Sequence, residues 1–270
     1  AGGNLATARY SVAGAGTQTA ALAFGGTTPA GANQGVAEEY DGSSWTAGGT
    51  MASARRYLAG CGLQTAGLAF GGSITGTRQS ITEEYDGSSW TAGGNLGTAR
   101  QLLSGAGLQT AAIAFGGDTP PNTAATESYD GSSWSNKSNM STARRALSGC
   151  GIQTAALAFG GFITSGQSAT EEYNDYSEPN TFQNDGQVFY NDTEKKFKLT
   201  STTTTGSWAS GGSLSDARYG FWASFGLQTA AVACGGADSP NEFFATTEEY
   251  NGTSWTAGGN IPTALSGGGS

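Results

Sequence analysis

The chain has 270 residues, 45 of them Gly and none His, and carries a net charge of −9 from 12 basic and 21 acidic residues. Without histidine there can be no Ser-His-Asp or Cys-His machinery and no His-based metal site, and an acidic chain lacks the basic surface that phosphate neutralisation needs. No apolar run reaches the roughly 18 residues of a membrane-spanning helix, so nucleic acid, membrane insertion, metal and cofactor are all absent from the expected partners.

In chain order, one pattern returns five times: A-R-x(4)-G-x-G-x-Q-T-A-x(2)-A-F-G-G, then Glu-x-Tyr, then Trp. The repeat arginines are Arg9, Arg55, Arg100, Arg144 and Arg218; the glutamines are Gln18, Gln64, Gln109, Gln153 and Gln228. The tyrosines are Tyr40, Tyr85, Tyr129, Tyr173 and Tyr250, and the tryptophans Trp45, Trp90, Trp134, Trp208 and Trp255. A fixed period of 44 to 46 residues between uninterrupted units marks a propeller or solenoid.

Each unit reads as four short strands. The first runs from the Arg to the G-x-Q-T turn, the second is the T-A-A-L-A-F run, the third ends at the Tyr and the fourth starts at the Trp. Asp-Gly or Asn-Gly after the tyrosine, as at Asp41-Gly42 and Asn251-Gly252, supplies the positive φ of a tight hairpin. Four antiparallel strands repeated radially describe a propeller blade, which predicts an all-β, five-bladed propeller over residues 1–265. The blades fall at about 4–49, 50–94, 95–138, 139–212 and 213–259. Leu22, Phe24, Leu68, Phe70, Ile113, Phe115, Leu157 and Phe159 lie two apart on one strand face and should form the repeating core. The first-strand glycines are expected to line a narrow axial channel.

Two breaks stand out. Blade four holds an insertion, 174–207, whose centre from Gly186 to Ser201 alternates around Asn191–Glu194 and reads as a β-hairpin. Blade five has one extra residue between Arg218 and Gln228, together with Phe221, Trp222 and Phe225 in place of small side chains, which suggests a bulge. The inter-unit linker pattern recurs at Ala1–Arg9 and Ala257–Leu265, so the chain reads as a segment of a longer polypeptide. Ring closure would set the fourth strand of blade five beside the first strand of blade one. Residues 266–270, S-G-G-G-S, read as a flexible linker.

Gly-Gly closing the second strand, Tyr closing the third, Trp opening the fourth and Arg starting the next unit resemble the kelch repeat. The Gly, Ala and Thr-rich flavour resembles kelch-like repeats of tailed-phage and viral structural proteins. That second resemblance implies a virion or extracellular-surface location and partners among glycans or other virion or surface proteins.

One Arg and one Glu per unit (Glu38, Glu83, Glu127, Glu171, Glu248) suggest structural ion pairs between strands or between neighbouring blades. The glutamines look like turn-fixing amides. The three cysteines, Cys61, Cys150 and Cys234, read as buried thiols acting as small apolar residues. Function is expected where the repeat is broken, in the loops between second and third strands. Arg78, Asn122, Phe162, Asn241, Phe243 and Phe244 are the candidate ligand-binding side chains, suited to sugar stacking and hydrogen bonding. Lys195, Lys196 and Lys198, the basic cluster on the inserted hairpin, are candidates for partner docking. The chain therefore reads as a non-enzymatic adhesion or structural propeller. A protein–protein docking platform using the hairpin is the alternative, and a glycan-cleaving enzyme is disfavoured.

Overall fold

The computed structural model describes residues 2–175, 188–191, 196–199, 206–220, 223–238 and 243–262. Five four-stranded antiparallel sheets form the blades of a β-propeller, and the described residues contain no helix. In blade one Ala13–Thr17, Ala20–Phe24, Val36–Tyr40 and Trp45–Thr50 pair in chain order, and the other four blades repeat that order. The first strand is innermost. Ala13–Thr17 lies beside Ala59–Leu63, then Ser104–Leu108, Ser148–Ile152 and Ala223–Leu227 in series.

The Leu and Phe of each second strand form the core between blades. Leu22, Leu68, Ile113 and Leu157, with Phe24, Phe70, Phe115 and Phe159, are buried to 1% exposure or less. Each Phe ring reaches the tryptophan of the next blade, with Phe24–Trp90 and Phe70–Trp134 centroids 5.0 Å apart, Phe115–Trp208 5.2 Å and Phe159–Trp255 4.9 Å. The glycine two residues into the next first strand receives the tip of the same ring. A Cβ on Gly60, Gly105 or Gly149 would come within 2.5 Å of Phe24, Phe70 or Phe115. These three glycines therefore clear space for the ring of a neighbouring blade.

The repeat polar residues are spent on the scaffold. Arg9–Glu38 and Arg100–Glu127 pair at 3.0 Å and Arg144–Glu171 at 3.2 Å, and Arg55–Glu83 and Arg218–Glu248 make the same contact. All five pairs lie within one blade, with every arginine side chain fully buried. Burial lowers the pKa of Arg100, and the charge of Glu127 opposes that shift. The second oxygen of each glutamate accepts the N–H of the linker entering the blade, from Ala6, Ala52, Gly97, Ser141 and Ser215. A buried charge thereby keeps both partners and its hydrogen bonds, the condition under which such pairs persist.

The glutamines do not fix their own turns. Gln64 donates to the carbonyls of Ala21 and Tyr40, Gln109 to Gly67 and Tyr85, Gln153 to Ala112 and Tyr129, and Gln228 to Ala156 and Tyr173. Each therefore ties its blade to the preceding one. The second glutamate of a pair does likewise. Glu39 accepts from the Tyr85 hydroxyl, and Glu84 and Glu172 accept from Tyr129 and Tyr250 at 2.5 Å.

One series of contacts carried no signal in the sequence. Tyr57 N–H donates to Ser11 O at 3.4 Å, Leu102 to Tyr57 at 2.9 Å, Ala146 to Leu102 at 2.8 Å and Gly220 to Ala146 at 2.9 Å. Ser11, Tyr57, Leu102 and Ala146 all hold φ between 51° and 57°, and Gly220 holds 59°. This backbone garland links five successive blades through a conformation that L-residues seldom adopt.

In blade four, Val188–Asn191 and Lys196–Leu199 pair as an antiparallel hairpin forming its own two-stranded sheet. In blade five, Ala223–Leu227 pairs with Ala230–Cys234 in unbroken register; the expected bulge falls at residues 221 and 222, outside the described residues. The fourth strand of each blade is outermost, three strands from the first. This corrects the expectation that the seam pairs a fourth strand with a first strand, because what meet across blade boundaries are first strands. No disulfide forms; Cys61 and Cys150 are buried and Cys234 is half-buried.

Candidate functional site

On the face carrying the loops between second and third strands, the loops of blades one to four are each laced to the blade that follows. Asn33 donates to Ser73 O at 3.4 Å and Arg78 pairs with Asp118 at 2.7 Å. Asn122 donates to Phe162 O at 3.0 Å, and Gln167 bridges to Arg218. Gln101 also donates to Asp118, at 2.9 Å, and these donors together with Arg78 hold that carboxyl below its usual range against the opposing effect of burial.

Three of the sequence-derived ligand candidates are thus engaged in this lacing. Arg78 sits on a two-residue strand, Thr77–Arg78, paired with Ser73–Ile74. Asn122 accepts from Arg145 at 3.4 Å besides its bond to Phe162. The Phe162 ring lies edge-on to Tyr219 at 5.0 Å, with the Arg145 guanidinium 5.1 Å from its centroid.

Phe243 and Phe244 stand elsewhere. Phe243 is 40% exposed, and Phe244 lies under the Arg218 guanidinium at 4.9 Å. Phe244 also lines a cavity of about 320 Å³ between the loop of blade four and the entry to blade five, together with Ser165, Gly166, Asp216, Ala217 and Asp238. Asn241 and Lys195 fall outside the described residues; Lys196 and Lys198 lie on the second hairpin strand.

The cavity combines an aromatic ring, two carboxylates, a hydroxyl and open backbone, which is the chemistry of a polar-ligand pocket. Asp216 lies outside the loops singled out in the sequence, yet the sequence carries a signal for it. Two residues before the repeat arginine the other blades have Thr7, Ser53, Thr98 and Thr142, and blade five alone has an aspartate. Arg218, already committed to Glu248, also lies 3.8 Å from Asp216, whose side chain stays 53% exposed. Among the described residues no group of three or more His, Cys, Asp or Glu side chains is arranged to hold a metal ion.

No family model and no curated protein matches the chain in sequence. Among solved structures it is similar to one described as the structure of YjhT, with a TM-score of 0.70 at 11% identity, covering 96% of this chain and 86% of that one. At that identity the likeness speaks for the β-propeller fold alone.

Proposed function

We propose that the chain is a non-enzymatic, kelch-type recognition propeller of a virion or other surface protein, binding a glycan in the cavity between blades four and five. One observation carries this reading. The repeat arginines, glutamates and glutamines are consumed by the scaffold, whereas Asp216, Asp238 and Phe244, all outside the repeat pattern, converge on one open cavity. An aromatic face with acceptor carboxylates suits sugar hydroxyls and stacking. Two carboxylates also repel acidic sugars, so neutral or amino sugars are the expected class.

A glycan array probed with the chain, beside Asp216→Asn and Phe244→Ala variants, tests the proposal. Selective binding of neutral or amino glycans, weakened in both variants, supports it. Binding untouched by either substitution, or no binding at high protein concentration, overturns it.

The hairpin favours a second reading, since it forms a sheet of its own without laddering onto blade four. On that reading Lys196 and Lys198, with Lys195, dock onto an acidic protein surface. Deletion of 186–201 would then abolish assembly with the partner while leaving glycan binding intact.

A further inference from the structure

Four blade interfaces share a recurring set of contacts; among the described residues, the interface between blades five and one makes none of them. Gln18 is exposed and, among the described residues, donates to no carbonyl of blade five, whereas its four counterparts each bridge to the preceding blade. No described tyrosine reaches the exposed Glu249, and Tyr40, its would-be partner, is only half-buried while Tyr85, Tyr129 and Tyr173 are wholly buried. Threonines of the preceding blade accept from Trp134, Trp208 and Trp255, whereas among the described residues Thr247 accepts from no tryptophan and donates to Gly259 O. A Cβ on Gly14 would meet only the Leu22 carbonyl at 3.4 Å, where its counterparts meet a phenylalanine ring.

The opposite wall is equally bare. Val232 is half-buried where Leu22, Leu68, Ile113 and Leu157 are sealed. Phe225 is 57% exposed where Cys61, Ala106 and Cys150 are buried. The garland stops as well, since no bond joins Ser11 N–H to Gly220 O. Among the described residues, blade one therefore presents the donor half of a standard interface (Gln18, Tyr40, Ser11 N–H) and blade five the acceptor half (the Ala231 and Tyr250 carbonyls, Glu249, Gly220 O), with neither engaged across the seam.

We infer that this open seam is the seat of a sixth four-stranded blade of the same repeat, whose outermost strand leads into Gly2. The seat is already partly occupied. Gly2 lies against the Tyr40 hydroxyl and Gly3 against Ser43 O, as Gly48 and Gly49, ending the fourth strand of blade one, lie against Tyr85 and Ser88. Gly3 N–H also donates to Ser43 O at 2.8 Å. Residues 2 and 3 thus follow the path of the last residues of a preceding blade, continuous with the interfaces seen elsewhere. The incoming blade must offer a glutamine to Ala231 and Tyr250 carbonyls, a tyrosine to Glu249, a glutamate to Tyr40, and a phenylalanine to Gly14 and Trp45.

A copy of residues 50–91 meets these requirements and, fused ahead of Ala1, restores the T-A-G-G-N-L junction unbroken. Cys234 is the reporter, because it faces the seam where other blades bury phenylalanine. In the 270-residue chain Cys234 should react readily with a maleimide, independently of protein concentration. In the fusion its labelling should slow by at least about tenfold, with amide exchange slowed over Gly14–Gln18. Gln64→Ala within the fused copy should restore part of the reactivity.

Three results would overturn the inference. Cys234 and Gly14–Gln18 of the 270-residue chain could prove as protected as the other interfaces, meaning five blades close by themselves. Protection could appear only at high concentration, with dimers on sedimentation, meaning a second copy fills the seam. A folded fusion could leave Cys234 as reactive as before. The first two measurements use the 270-residue chain alone and stand even where the fusion fails to fold.

Discussion

The amide of Gln109 crosses a blade boundary to the carbonyl of Tyr85 at 2.7 Å while also reaching Gly67 O at 3.1 Å. One side chain thereby satisfies two carbonyls of the preceding blade. Replacing it with alanine strands both, which should cost about 1–3 kcal/mol. Gln18→Ala removes the same residue type at the seam, where among the described residues it bridges no carbonyl, and should change stability by no more than about 0.5 kcal/mol. Urea denaturation of the two variants checks the contrast; equal losses would mean that Gln18 has a partner in solution.

Arg100 and Glu127 are both sealed from solvent. Arg100→Met leaves a carboxylate buried without its cation and should cost about 3–5 kcal/mol. Adding Glu127→Met removes the stranded charge and should recover a large part of that loss. A double-mutant cycle by thermal or urea unfolding measures the recovery, and additive losses would argue against a coupled pair.

Blade three departs from the carboxylate pattern, having Ser128 where Glu39, Glu84, Glu172 and Glu249 stand. Blade three accordingly offers the Tyr173 hydroxyl no carboxylate like the one that Glu84 offers Tyr129. Ser128→Glu supplies the acceptor that Tyr129 and Tyr250 find in Glu84 and Glu172. A gain of about 1 kcal/mol is expected, less the bond that Ser128 exchanges with Ser135 at 3.1 Å. A lower melting temperature than the parent would refute it.

Alkali should unfold the chain through its repeat tyrosines. Burial, then the nearby Glu172, pushes the Tyr250 hydroxyl up to about 12, and burial followed by Asp175 does the same for Tyr173. A folded pKa above the unfolded value stabilises the neutral form. That stability is complete below the unfolded pKa of about 10 and is lost as pH rises through 12. Ultraviolet titration should show a late class of tyrosines ionising together with loss of structure, whereas Tyr250→Phe should lower the alkaline sensitivity. Ionisation of every tyrosine near the free value with the fold intact would be the contrary result.

The five-bladed architecture was legible because the residues that set it recur in register: Gly-Gly, Tyr, Trp and the buried Leu-x-Phe of each second strand. The garland was not, since Ser11, Tyr57, Leu102 and Ala146 share no side-chain chemistry. Their common feature is a backbone angle imposed by hydrogen bonds to the next blade, and only Gly220 advertises it. The glutamines were visible, but a lone amide in a turn looks the same whether it serves its own strand or a neighbour's. Among site residues, Phe243 and Phe244 could be picked out as departures from the repeat. Asp216 was hidden within a linker otherwise read as uniform, and the cavity it lines exists only once blades four and five are side by side.

The garland has a consequence for how the molecule comes apart. Its links run from each blade only to the next, and the strain of four left-handed residues is held by bonds that need an intact neighbour. A closed ring would give every blade two such neighbours, but here blades one and five have one each. Along these bonds the five blades are coupled in series, so opening is expected to start at blades one and five and to advance inward. Blade three, farthest from both ends, becomes the kinetic anchor of the whole assembly.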